Sequence, residues 1–180
     1  MHINWIRVPL SVNREGLGER FLKQTASDMT SPQFFQFEAD FVEALRCVPM
    51  SVRLKLDTCG IKLKLSEWNK FSREQRKVLV EMPCQTNEEV QAYWEHLHQL
   101  VLACTGHPPT ELTLEADPEW ENSTVIPASV QEQAKALSLS LTLDYWSKLN
   151  PLQRFALIKL SRSDHENHNF LPALEEFHLD

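Results

Sequence analysis

The chain has 180 residues, a net charge of −7 and 42% hydrophobic residues, a balance typical of one ordinary globular domain. It has only four glycines, none of them in a G-x-G-x-x-G or Walker pattern, which excludes the common nucleotide-binding loops. No run of 18 apolar residues predicts a membrane span, and no apolar signal segment opens the chain. We therefore expect a cytoplasmic protein that binds no membrane and, because of its acidic balance, no nucleic acid.

The first segment of the chain lacks sustained hydrophobic periodicity, so we expect residues 1–32 to form a poorly ordered extension. Residues 33–180 are expected to form a single helical domain. Within it, residues 48–82 laid over 126–160 without a gap are identical at 10 of 35 positions. A repeat of this kind predicts the architecture before any local pattern does.

We interpret the repeat as a mainly α fold made of two pseudo-repeated helical units. The two halves span about 48–106 and 126–177, and an acidic connection joins them. The alternating segments Ile61–Leu65 and Leu139–Leu143 are typical of extended chain. These two segments can pair as a short two-stranded β ribbon between the halves.

Start and stop signals mark several helices. Pro49 and Pro127 suit a first helical turn, and Gly60 suits a helix end. Thr86, followed three residues later by a glutamate, predicts the start of a long helix, and Gly106 predicts its end.

Two tryptophans and two arginines occupy the same positions in both halves. Because both copies keep them, we interpret them as structural residues, for example through stacking of an arginine on a tryptophan ring. They are Trp68, Arg76, Trp146 and Arg154.

A basic stretch runs from Arg46 to Lys77, with nine basic residues and three acidic ones, so that it carries +6 and the rest of the chain −13. Five of its cations stand opposite neutral residues of the second half, so we expect that the fold does not require their charge. A solvated face is one interpretation, and a surface for an acidic partner or for phosphate groups is the other. The five are Arg46, Arg53, Lys55, Lys62 and Lys64.

The four cysteines include no C-x-x-C pair, so no zinc ribbon or thioredoxin-type site is predicted. Cys47 and Cys59 stand opposite apolar residues of the second half and are expected in the core. Cys84 follows a proline and stands opposite an arginine, so we expect it to be the most exposed thiol and the candidate for a reactive one, although no lysine, arginine or histidine lies beside it in sequence to lower its pKa. His165 and His168 are three apart, which does not fit the H-E-x-x-H pattern of zinc proteases.

No nucleophile elbow, kinase motif set or paired-carboxylate motif is present, and we predict neither enzymatic activity nor a bound cofactor or metal. The alternative is a small metal-binding or thiol redox protein that uses Cys84 with histidines such as His165 or His168.

The run of sequence from Phe35 to Leu63 closely resembles the nitrate reductase associated protein family, best known from cyanobacteria. Trp68, the Pro83-Cys84 pair, the segment 154–157 and the segment 165–168 are similar to that family as well. The resemblance covers residues 34–177.

Members of that family are encoded beside genes for nitrate reductase and for molybdopterin synthesis, and the resemblance supplies no catalytic residues. It implies a non-enzymatic accessory or maturation protein whose partner is nitrate reductase. It also implies that the molybdenum cofactor can meet the chain in transit, and the five cations offer contacts for either the reductase or the cofactor phosphate.

Overall fold

The computed structural model describes residues 34–162 and 167–178, and most of these residues are helical. The expected extension over residues 1–32, like His165, lies outside the described residues. The helices, apart from short 3-10 turns, are α1 (Ala39–Val42), α2 (Met50–Cys59), α3 (Leu65–Trp68), α4 (Arg73–Glu81), α5 (Asn87–Thr105), α6 (Ala128–Ala136), α7 (Leu143–Lys148), α8 (Pro151–Arg162) and α9 (Phe170–Glu176).

The capping signals of the sequence form as predicted. The Thr86 hydroxyl accepts a hydrogen bond from the Glu89 N–H, and the Glu89 carboxylate accepts one from the Thr86 N–H. The long helix α5 ends at Gly106, which has a left-handed φ of 79°. Gly60 ends α2 in the same way, with a φ of 73°. A helix end of this kind needs a residue that tolerates positive φ.

The helices of the two halves begin 78 residues apart. Helices α2 and α6 begin at Met50 and Ala128, and α3 and α7 begin at Leu65 and Leu143. Helices α4 and α8 follow the same offset. The order and the starting points agree, whereas a common origin of the halves stays a prediction.

The expected ribbon exists, but one of its two strands differs from the prediction. Strand β1 (Ile61–Lys62) pairs antiparallel with β2 (Thr110–Glu111), which lies in the connection between the halves. The segment 139–142 forms no strand with the described residues. The expectation that the two alternating segments pair with each other is therefore wrong.

The backbone at Gly60 gives a physical reason for the difference. A Cβ built on Gly60 would lie 3.1 Å from both the carbonyl oxygen of Leu112 and the side chain of Leu114, so glycine permits the close crossing of this segment. The corresponding residue, Ser138, has a similar φ of 61° and carries a Cβ. A strand cannot cross Ser138 at the same short distance unless one of the two chains moves.

The buried side chains of the described residues form two hydrophobic clusters, each built mainly from one half, with Met50 of α2 joining the cluster of the second half. The first cluster surrounds Trp68 and Tyr93 and includes Cys59, which was expected in the core. The second surrounds Trp146 and Phe155. Each cluster has a fully buried tryptophan, and burial of such large side chains supplies much of the stability.

The beginning of the described domain packs with its end. Phe35 and Phe37 belong to the second cluster, and their rings lie 5.0 Å and 6.3 Å from the ring of Phe177. The N–H of Gln36 donates to the carboxylate of Glu176 at 2.8 Å. The second half is therefore completed by residues that precede the first half in the chain.

Candidate partner-binding surface

Arg53, one of the five candidate cations, has a structural contact. Its Nε donates to the carbonyl oxygen of Val48 at 3.0 Å. At the corresponding position, the side-chain amide of Gln131 donates to the carbonyl oxygen of Ile126 at 2.9 Å. The fold therefore uses the donor of this side chain, whereas a neutral glutamine makes the same hydrogen bond in the second half without a charge.

Lys55 is directed into the protein. Its Nζ donates to the carbonyl oxygens of Val80 at 2.7 Å and Met82 at 2.6 Å, at the end of α4, and lies 5.7 Å from the centre of the Tyr93 ring. Burial lowers the pKa of Lys55 below its ordinary value of 10.5. Because Lys55 donates to carbonyl groups that the helix leaves unpaired, its hydrogen bonds serve the fold and the side chain is not offered to a partner.

The other three candidate cations are exposed. Lys62 lies on β1, Lys64 precedes α3, and Arg46 lies in the loop after α1. Their side-chain nitrogens make no hydrogen bond or ion pair with the residues that the structure describes. These three cations, which we call the exposed basic set, are accessible to an anionic partner.

Hydrogen bonds from two side chains to one backbone carbonyl fix the loop that carries Arg46. The preceding residue, Leu45, has a positive φ of 49° although it is not glycine. Its carbonyl oxygen accepts hydrogen bonds from Trp68 Nε1 at 2.8 Å and from Arg76 Nη1 at 2.9 Å. The Arg76 guanidinium also lies 5.7 Å from the centre of the Trp68 ring. These contacts hold Leu45 in a conformation that costs about 1 kcal/mol or more for a branched side chain.

In the second half the arginine is buried more deeply than Arg76, and the tryptophan and arginine make different contacts. Trp146 Nε1 donates to the carbonyl oxygen of Asn122 at 3.0 Å. Arg154 is only 5% exposed and donates to the carbonyl oxygens of Trp120 and Leu149. Burial lowers the pKa of Arg154, while the nearby Glu121 opposes that change. In both halves the arginine satisfies backbone carbonyls, which makes it a structural residue.

The thiol expected to be most exposed is in fact buried. Cys84 is 8% exposed, whereas Cys47 and Cys104 are partly exposed, so that expectation is wrong, as is the expectation that Cys47 lies in the core. Its Sγ lies 3.9 Å from the carbonyl oxygen of Lys55, and burial raises its pKa to about 12 although the Lys55 charge acts in the opposite direction. A thiol with this pKa is almost entirely protonated at neutral pH and is a poor nucleophile.

No group of three or more histidine, cysteine and acidic residues comes together as a metal site among residues 34–162 and 167–178. His168 is exposed, and His165 lies outside the described part of the chain. The described residues therefore offer nothing in favour of the metal-binding alternative.

A cavity of about 280 Å³ lies between α2, the connection and α8, and sequence reasoning missed it. Lys159 pairs with Asp57 across it at 2.6 Å, and Arg162 pairs with Glu119. Glu115 and other carboxylates outnumber these two cations along its wall. The only signal in the sequence was the acidic composition of the connection, and an acidic wall does not suit a phosphate group.

The fold defines a small, mainly helical protein with two cores and a charged surface, and no described helix is long and apolar enough to cross a membrane. The chain belongs to the family of conserved nitrate reductase-associated proteins, whose model matches residues 34–177. The resemblance inferred from the sequence is thereby confirmed, and the family description associates its members with nitrate reductase. Neither the curated proteins nor the solved structures give a significant match.

Proposed function

We propose that the protein is a non-enzymatic accessory or maturation factor for a cytoplasmic, molybdenum-containing nitrate reductase, and that it acts by direct contact with the reductase. The observation that carries the proposal is the exposed basic set of Arg46, Lys62 and Lys64, on a chain whose family is associated with that enzyme. The fold uses Arg53 and Lys55 for its own backbone, so the proposed surface is smaller than the sequence suggested.

The physical basis of the contact is charge complementarity. Lysine and arginine side chains form charge-assisted hydrogen bonds with carboxylates, and such groups at the edge of an interface accelerate association more than they strengthen it. Because exposed charges are screened by salt, binding should weaken as the ionic strength rises.

A second ligand of the same cations is the molybdenum cofactor in transit, as cargo and not as a resident group. Its phosphate has the charge that exposed lysines and arginines recognise. The cavity between α2, the connection and α8 does not suit this phosphate, because carboxylates outnumber cations along its wall. We therefore place the contact with protein first and the contact with cofactor second.

The test is a pull-down of the reductase from native cells with the full chain carrying R46E, K62E and K64E. We expect at least a tenfold loss of binding, about 1.4 kcal/mol, at low salt. The matched control carries K77E, K135E and K148E, which change the net charge equally at other exposed positions, and should bind within about twofold of the unaltered chain.

Equal losses in both triple variants would show a general effect of charge, and unchanged binding of the first would remove the proposal. Captured reductase that lacks its cofactor supports a maturation role, whereas captured holoenzyme supports a stable accessory role.

We further infer that the two halves arose from one duplicated unit. The equal offset of the helix starts supports this inference, as does the shared hydrogen bond of Arg53 and Gln131. The left-handed conformation common to Gly60 and Ser138 also supports it.

A further inference from the structure

The extended segment that follows Ser138 corresponds to β1 of the first half, and within the described part of the chain only β1 has a partner strand. In the first half, Lys62 pairs with Thr110, and the carbonyl oxygen of Gly60 accepts from the N–H of Leu112 at 2.8 Å. The connection thus covers the outer edge of β1.

The corresponding backbone groups of the second half are uncovered. The carbonyl oxygen of Ser138 and both backbone groups of Ser140 make no hydrogen bond with the residues that the structure describes. The N–H of Leu139 points the other way and donates to Ala134 at 2.9 Å. Ser140 is also exposed, so the open groups face solvent at an accessible edge.

Side chains along this edge are uncharged, with leucines alternating with small polar residues. Residues 136–143 include no charged group and have leucine at every second position. Leu137 and Leu143, at the two ends of the segment, are 39% and 50% exposed. The first half has Lys62 and Lys64 in the same stretch, and lysines at a strand edge normally prevent pairing with another chain. The second edge lacks both the covering strand and the protecting lysines.

We propose that this edge pairs antiparallel with the same edge of a second copy of the chain, around a two-fold axis at Ser140. In this register the Ser140 residues of the two copies face each other, and Leu137 of one copy approaches Leu143 of the other. A two-fold dimer places each patch against itself, so the patch must carry no charge that would repel its copy. The neutral edge meets this condition, whereas the lysines beside β1 do not.

Ser138 limits the length of the pairing but does not prevent it. Its Cβ obstructs a strand that crosses as closely as Leu112 crosses Gly60. A pairing of residues 139–141 avoids the crossing, because each chain turns into α7 at Leu143. The interface is therefore small, and we expect a weak dimer whose population depends on concentration.

The proposal is tested by sedimentation equilibrium and light scattering of the full chain over a wide concentration range. The unaltered chain should form a dimer as concentration rises. The variant S140K, which places a lysine where the first segment has Lys62, should stay monomeric while its circular dichroism remains unchanged; Thr142 is left in place because its hydroxyl caps α7. The reciprocal control K62S/K64T should dimerise like the unaltered chain, whatever its binding of the reductase.

Hydrogen exchange at the Ser140 amide, which faces the open edge, distinguishes a second copy of the chain from other molecules or segments that could cover this edge. Protection that increases with the dimer fraction supports the proposal. A chain that is monomeric at every concentration overturns it, as does a dimer that S140K leaves intact. Protected amides in the monomer would assign the edge to residues 1–33, and protection only in the presence of reductase would assign it to that partner, and both results overturn the proposal.

Discussion

The two halves of the molecule have helices in the same order at the same offset, but they use equivalent positions differently. Lys55 satisfies the carbonyls at the end of α4, whereas its counterpart Gln133 is a partly buried neutral residue. Gly60 admits a covering strand, whereas Ser138 leaves the neighbouring edge open. A difference in charge between the two halves therefore does not by itself mark a binding surface. Some charged side chains, such as Lys55, donate hydrogen bonds to backbone carbonyls of the fold.

The largest expected effect tests whether both halves contribute equally to the fold. Trp68→Ala and Trp146→Ala each remove a fully buried indole, and each should cost about 3–5 kcal/mol of unfolding free energy. Urea denaturation followed by circular dichroism gives both values. If one substitution costs less than about half as much unfolding free energy as the other, the two cores differ in packing and the expected equal contribution of the halves is wrong.

The next largest loss of stability is expected for substitution of Lys55 and not for substitution of its counterpart, Gln133. Lys55→Met leaves the carbonyls of Val80 and Met82 without their donor and should cost about 1–3 kcal/mol. Gln133→Met should change stability by less than about 0.5 kcal/mol. Thermal denaturation of the two variants measures the difference, and equal losses would contradict the structural role of Lys55.

The contribution of Lys55 to the stability of the protein also depends on pH. Its folded-state pKa lies below the unfolded value of about 10.5, so the unfolded chain binds more protons between the two values. Its contribution to stability therefore rises as the pH rises through the folded pKa and levels off above the unfolded pKa. Lys55→Met should remove this alkaline rise, which urea titrations at several pH values can detect.

A smaller effect is expected at the two left-handed positions. Gly60→Ser should cost about 1–2 kcal/mol, because it adds both an unfavourable φ and a Cβ against Leu112. Ser138→Gly relieves only the unfavourable φ and should stabilise the protein by up to about 1 kcal/mol. Melting temperatures that move in the same direction for both variants would show that the two turns are not equivalent.

The smallest effect is expected at Arg53. Arg53→Gln retains a donor for the carbonyl of Val48, as Gln131 does for Ile126, and should change stability by less than about 0.5 kcal/mol. Arg53→Ala removes the donor and should cost about 1 kcal/mol. Chemical denaturation of both variants separates the hydrogen bond from the charge, and equal costs would assign the contribution of Arg53 to its charge.

Local signals in the sequence predicted local structure well. Thr86 and Gly106 bound the long helix because capping depends on a few neighbouring residues, and Gly60 ends α2 for the same reason. Long-range contacts were not predictable in this way. Nothing near Ile61 in sequence indicates that its partner is Glu111, although the absence of a Cβ on the adjacent Gly60 permits the close approach of that segment.

The candidate site shows the same limit. The sequence located the basic stretch, but it could not show that Lys55 points at carbonyls about 25 residues away or that Cys84 is covered by the core. Both facts depend on how α2 and α4 pack. Arg53 is the exception, since its position opposite a glutamine, another donor, was a usable sign of a shared hydrogen bond.

The closure of Phe35 and Gln36 against Phe177 and Glu176 has a consequence for the order of folding during synthesis. The first cluster can assemble once α5 has left the ribosome. The second must wait for α9, although one of its members, Phe35, precedes the first half in the chain. The contact between Gln36 and Glu176 closes a loop of about 140 residues, and the entropy cost of closing a loop grows only with the logarithm of its length. The contact therefore delays folding of the second half but lowers its stability little. A nascent chain stalled before α9 would expose Phe35, and truncation there should leave the first half protected from protease while the second is cut.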